Sequence, residues 1–173
     1  RRPPLTSTAA ASRRRPVIGA LLFKIGARRA WTRLEALDAD FFISRLADDV
    51  VLECPGHTTL SGRFVGRQAV ADWYRRYFGR LEALEVHVLR MAVEHQFAVG
   101  LSNTIISEYE EVATLRGGTI LRGRAIDVSE IRGGKTVASR TYIFDLRAFD
   151  AAFGAIEAPD GPARLTPSPP AAR

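Results

Sequence analysis

The spacing of apolar positions divides the chain into a helical first half and a β-rich second half. From Pro16 to Leu37, the positions Leu21, Leu22, Ile25, Arg29 and Leu34 fit one long helix, bent near Gly26, with Pro16 in its first turn. Asp38 is placed to cap a second, short helix carrying Ala39, Phe42, Ile43 and Leu46, which ends before Asp48-Asp49. Val50 to Glu53 reads as a strand stopped by Pro55-Gly56, and a loop runs from Gly56 to Gly66. The third helix has the clearest stripe: Val70, Trp73, Tyr74, Tyr77 and Leu81.

After Leu84 the period changes. Leu84–Val93, Phe97–Thr114, Thr119–Ile131 and Thr136–Leu146 are long segments rich in Val, Ile, Thr, Tyr and Phe. Glu94-His95-Gln96, Arg116-Gly117-Gly118 and Arg132-Gly133-Gly134 separate them, which is hairpin chemistry. Arg147 to Phe153 is a short helix or a tail. Helices followed by antiparallel strands predict an α+β domain with a strongly curved, mainly antiparallel sheet wrapped around N-terminal helices. Strands of this length curl rather than lie flat, and the concave side makes a pocket.

Composition then sets limits. The chain has 173 residues, 46% of them hydrophobic, which suits one domain with a core. Residues 1–15 and 158–173 are rich in Pro, Ala, Ser or Arg without apolar period and are expected to be disordered, leaving a domain over 16–157. The net charge of +6 is concentrated before Glu35, the first acid of the chain. That arm reads mainly as a solvated tail, and no aromatics interleave with its arginines to form a single-strand-binding surface. Nucleic-acid binding therefore ranks last among the readings. No apolar run spans a membrane. Cys54 is the sole cysteine, which fits a reducing cytoplasm, the expected location. Ser12 to Phe23 has an export-signal outline, but Lys24 interrupts it and no small-residue cleavage site follows, so it reads as a helix start.

Three stretches resemble the SnoaL-like branch of the nuclear transport factor 2-like superfamily: Leu46 to Gly56, Leu60 to Val70, and Gly134-Lys135-Thr136-Val137 leading to Arg140-Thr141-Tyr142 and Phe144-Asp145. The resemblance implies a cone with a deep apolar cavity for a small polyketide-, terpenoid- or steroid-like molecule. It also implies a homodimer through the outer sheet face, and chemistry that needs no cofactor. Activity differs widely on this fold.

Compared with the ketosteroid-isomerase-like pattern, the carboxylate base falls at Cys54. Glu53, one residue earlier, points to the opposite face of its strand. The helix tyrosine falls near Ala30, beside Trp31. Ile126-Asp127-Val128 resembles the strand that carries the oxyanion-binding aspartic acid, so Asp127 is the leading catalytic candidate. The epoxide-hydrolase pattern places its aspartate at Thr141 and its Arg-x-Asp near Glu108-Tyr109-Glu110, where the arginine is missing. Glu108 either faces Asp127 across the hairpin or points outward. His57, in the loop after Pro55, is either an acid–base group at the cavity edge or an exposed loop histidine. Trp31, Phe42, Trp73, Tyr74, Phe78 and Tyr109 divide between core and cavity lining. The first five, with Cys54, Glu108, Ser129 and Thr141, are the candidate ligand contacts. His87, His95 and Cys54 lack metal-ligand spacing. Two functions stay open: a cofactor-free proton-transfer enzyme, and a passive pocket or dimerisation module.

Overall fold

A computed structural model describes residues 26–94 and 102–154. The basic segment 1–15, the segment 158–173, the first half of the expected long helix and the His95 turn lie outside the described residues. The helices are α1 (residues 26–35), α2 (Ala39–Ile43), α3 (Arg67–Gly79) and α4 (Leu146–Phe153). The strands are β1 (Leu46–Cys54), β2 (Gly62–Val65), β3 (Leu81–Val93), β4 (Asn103–Leu115), β5 (Ile120–Arg132) and β6 (Lys135–Ile143).

The strands form one curved sheet in the order β2-β1-β6-β5-β4-β3. Every pairing is antiparallel except β1 with β6. Register shifts interrupt β3–β4 at two points, and β5–β6 and β1–β6 at one each. Such bulges add local twist, which curls long strands around the helices. Gly133 and Gly134, at φ 56° and 75°, form the two-residue link between Arg132 and Lys135, where a side chain would be strained.

Helix ends follow local chemistry. The Asp38 carboxylate accepts from the Phe41 N–H at 2.9 Å, and the Asp145 carboxylate accepts from the Ala148 N–H at 2.9 Å. The stripe of α3 buries Val70, Trp73 and Phe78 against Leu46, Val50 and Leu52 of β1 and Leu81 of β3. Phe149 and Phe153 of α4 close the other end of the same core, so the segment after Leu146 is a helix rather than a tail.

Several boundaries differ from the sequence pattern. Leu46 and Leu81, each in phase with a preceding helix, are the first residues of β1 and β3. Both are almost wholly buried, so tertiary packing rather than helical phase uses them. Gly62–Val65, read as loop, is a short edge strand. Its register with Val51–Cys54 is fixed by backbone pairing, because four residues between glycines carry no alternation to reveal it.

Candidate active site

The curl of the sheet and the faces of α1 to α4 enclose a cavity of about 670 Å³. Alternation places Ile105, Ser107, Tyr109 and Glu111 of β4 on its wall, with Ala125, Asp127, Ser129 and Ile131 of β5 beside them. Ser139, Thr141 and Ile143 of β6 continue that surface. Trp31, Leu34, Phe42, Trp73, Tyr74 and Tyr77 face it from the helices.

Asp127 sits in the middle of β5, opposite Ser107 on β4 and Thr141 on β6. Three hydroxyls converge on its carboxyl: Ser129 at 2.5 Å on Oδ2, Ser139 at 2.8 Å and Thr141 at 3.4 Å on Oδ1. These residues occupy one face because 127 and 129 on β5, and 139 and 141 on β6, share the same side of the pleat. No cation among the described residues pairs with Asp127. Its pKa is raised by burial, against a smaller lowering by the three hydroxyl hydrogen bonds.

A second carboxyl shares the cavity. Glu111 lies four residues beyond Ser107 on β4, about 13 Å along the strand. Its partner position on β5 is Gly123, and the missing side chain there leaves a shallow slot beside the carboxyl: a Cβ at 123 would lie 3.5 Å from Glu111 Oε1. Burial lifts its pKa from 4.5 to about 7, and the Tyr77 hydroxyl, donating to the carboxylate, opposes that rise. The hydroxyls of Tyr74, Tyr77 and Tyr109 are buried and their pKa values rise, so they remain neutral donors. Tyr74 is held by stacking on Phe42 at 5.4 Å, and Tyr109 packs on Trp31 at 5.4 Å. Trp73 spends its indole N–H on the Leu60 carbonyl at 2.7 Å, which fixes its ring as wall rather than donor.

Of the residues singled out in the sequence, Trp31, Phe42, Cys54, Trp73, Tyr74, Asp127, Ser129 and Thr141 line the cavity. Three do not. His57 is exposed, and its ring and backbone N–H both engage Asp150 of α4, at 3.0 and 2.9 Å. The loop is thereby tied to the helix, outside the cavity. Glu108 pairs with Ile126, so it faces away from Asp127. It binds Arg124 on the outer sheet surface, with Arg90 at 3.8 Å. Phe78 packs into the core against Phe42, Tyr74 and Tyr77. Glu53 also lies on the outer face, between Arg63 and Arg140. Cys54 is buried, and burial together with the nearby carboxylates of Glu111, Asp150 and Asp127 pushes its thiol up to about 12, so it is a small apolar wall residue rather than a nucleophile. Glu111 escaped the sequence reading: with Glu110 beside it, composition cannot tell which carboxylate turns inward. No cluster of three or more His, Cys, Asp or Glu with metal-binding geometry occurs among the described residues.

Residues 27–139, more than half of the chain, match the SnoaL-like domain family. The chain belongs to that family. Solved structures share the architecture of this SnoaL-like domain. Bal32a, from a soil-derived mobile gene cassette, superposes with a TM-score of 0.63 at 20% identity, covering 78% of this chain and 98% of its own. An LEH-like epoxide hydrolase of Mycobacterium tuberculosis gives 0.53 at 21% identity, over 80% and 89%. A further M. tuberculosis protein, solved in complex with estradiol-17beta-hemisuccinate, gives 0.56 at 20% identity, over 72% and 92%. At these identities the likeness shows the fold. No curated protein matches the chain significantly. No helix among the described residues is long and apolar enough to cross a membrane.

Proposed function

We propose that this SnoaL-like domain binds a small apolar molecule bearing a carbonyl or hydroxyl group and moves a proton on it without a cofactor. The observation that carries this reading is Asp127: an enclosed carboxyl, facing a ligand-sized cavity, with only hydroxyl partners. A carboxyl without a cation beside it, raised in pKa by burial, holds a proton more readily and can donate it to a ligand oxygen. Glu111, poised to titrate near neutrality, serves as the base. Its carboxylate removes a proton from the γ-carbon of an enone, conjugated with the carbonyl but set apart from it, in keeping with the separation of Glu111 from Asp127 along the sheet. The C–H electron pair shifts onto the carbonyl oxygen, where Asp127 donates its hydrogen bond. Protonated Glu111 then returns the proton at another carbon, so the net change is isomerisation and no oxidant is needed. Aromatic walls exclude water and favour a rigid apolar body, and steroid-sized enones suit the cavity and resemble the ligand of the M. tuberculosis neighbour.

The test is solvent-deuterium exchange into steroid-like enones, followed by mass spectrometry. Exchange in the parent protein that is lost in Asp127→Asn and Glu111→Gln, with binding retained, supports catalysis. Binding without exchange in the parent protein refutes it and leaves a passive ligand pocket. A homodimer belongs to the same reading, since Ile106 and Tyr142 are exposed on the outer sheet face; sedimentation equilibrium tests it.

A further inference from the structure

The charged groups of the cavity wall are segregated. Asp127 and Glu111 lie within, while Arg29 of α1 and Arg45, just before β1, line the same cavity but are exposed, which puts them at its mouth. Neither arginine pairs with an acid among the described residues. Two acids of the neighbouring segments are engaged elsewhere: Asp38 holds Arg33 at 2.9 Å, and Glu35 accepts from the Val86 N–H at 3.1 Å. The Arg45 guanidinium is pinned flat over the Phe41 ring, 3.7 Å from its centroid. One of its nitrogens donates to the Phe41 carbonyl at 2.9 Å and to Ser44 Oγ at 3.3 Å, leaving the rest of its donor fork unspent. Phe41 itself lines the cavity, so this fork is oriented at the entrance by an aromatic wall. Lys135 donates to the Ser44 carbonyl at 2.7 Å, adding a third cation beside Arg45.

We infer that the natural ligand is amphipathic: an apolar body that enters the cavity toward Asp127 and an anionic end, carboxylate, sulfate or phosphate, held at the mouth by Arg29 and Arg45. This deepens the functional reading above and rests on it. The wall supplies the reason for the polarity. An anion pushed inward sheds its water in an apolar chamber and meets the Glu111 carboxylate, which is costly; an anion at the entrance stays partly hydrated and meets two unpaired guanidinium groups. The charge pattern therefore fixes which end of the ligand enters first.

Two fluorescent dyes of matched body test this. 8-Anilinonaphthalene-1-sulfonate carries an anionic group that N-phenyl-1-naphthylamine lacks. The full chain binds the sulfonate more tightly, its affinity falls with added salt, and the neutral dye displaces it one for one, which places both in the cavity. Arg29→Gln alone, and with Arg45→Gln, weakens sulfonate binding about five- to tenfold in total and leaves the neutral dye unchanged; Arg29→Lys restores part of the loss. Arg29 makes no side-chain hydrogen bond to another described residue, so its substitution leaves the fold intact and keeps the test decisive. Equal, salt-independent affinities for the two dyes overturn the anionic-end assignment while leaving the pocket standing. Failure of both dyes to bind overturns the pocket reading and this inference together.

Discussion

Glu111→Gln isolates the cost of holding a carboxylate inside the cone. In the unfolded chain this group titrates at 4.5, and in the fold at about 7. Below pH 4.5 it is protonated in both states and adds nothing. Between 4.5 and 7 the unfolded chain releases the proton while the folded chain keeps it, so stability falls with rising pH. Above 7 both states are ionised and the loss is complete. Across that window the raised pKa is worth about 3 kcal/mol. Glutamine has the same shape, keeps an oxygen for the Tyr77 hydroxyl to donate to, and carries no charge. Urea unfolding followed by tryptophan fluorescence therefore yields nearly equal stabilities for parent and variant at pH 4. By pH 8 the variant is more stable by about 3 kcal/mol, roughly 10 °C in Tm for a domain of this size. Taking the difference between the two proteins removes every other titrating group. A difference that stays flat from pH 4 to pH 8 refutes the burial argument, and with it the case for Glu111 as a base tuned to neutrality.

Three further outcomes follow from the same geometry. Ser139→Ala removes a hydroxyl that lowers the Asp127 pKa, so the titration of Asp127, followed by carboxyl NMR or the pH profile of deuterium exchange, moves to higher pH; no movement refutes the hydroxyl cradle. Cys54, with its thiol pushed up to about 12, resists iodoacetamide at pH 8 in the folded protein and labels at once in denaturant; rapid labelling of the native chain contradicts its burial. Gly56→Ala costs about 2 kcal/mol or more in chemical denaturation, because residue 56 sits at φ 113° and a Cβ there would fall 2.6 Å from Asp150 Oδ1 and 2.7 Å from Ser61 Oγ. A neutral result would mean that the tie between this loop and α4 is loose.

The architecture was legible in sequence wherever period and turn chemistry agreed. The α3 stripe and the Gly117-Gly118 and Gly133-Gly134 turns each mark an element that the fold contains. Asp127 stood out because a lone carboxylate between Ile126 and Val128 breaks an apolar run. Glu108 and Glu111 could not be sorted the same way. The inward face of β4 depends on its register with β5, where Ser107 rather than Glu108 meets Asp127, and backbone pairing across a hairpin decides that. His57 failed for another reason: its neighbour Asp150 is 93 residues away, and only the docking of α4 shows which way the loop turns.

The parallel seam between β1 and β6 has a consequence for how this molecule comes into being. Leu46 meets Thr136, and Leu52 meets Ser139, across nearly ninety residues of intervening chain. Until that seam zips, Cys54 and Leu52 have no opposing wall, whereas the Ser139 hydroxyl reaches Asp127 within the β5–β6 hairpin alone. A nascent chain therefore has no binding chamber until β6 has emerged from the ribosome. The acid's hydroxyl cradle is local to one hairpin, but the chamber around it closes in a late, non-local event, so a bound guest reports completed folding and stabilises nothing that precedes it.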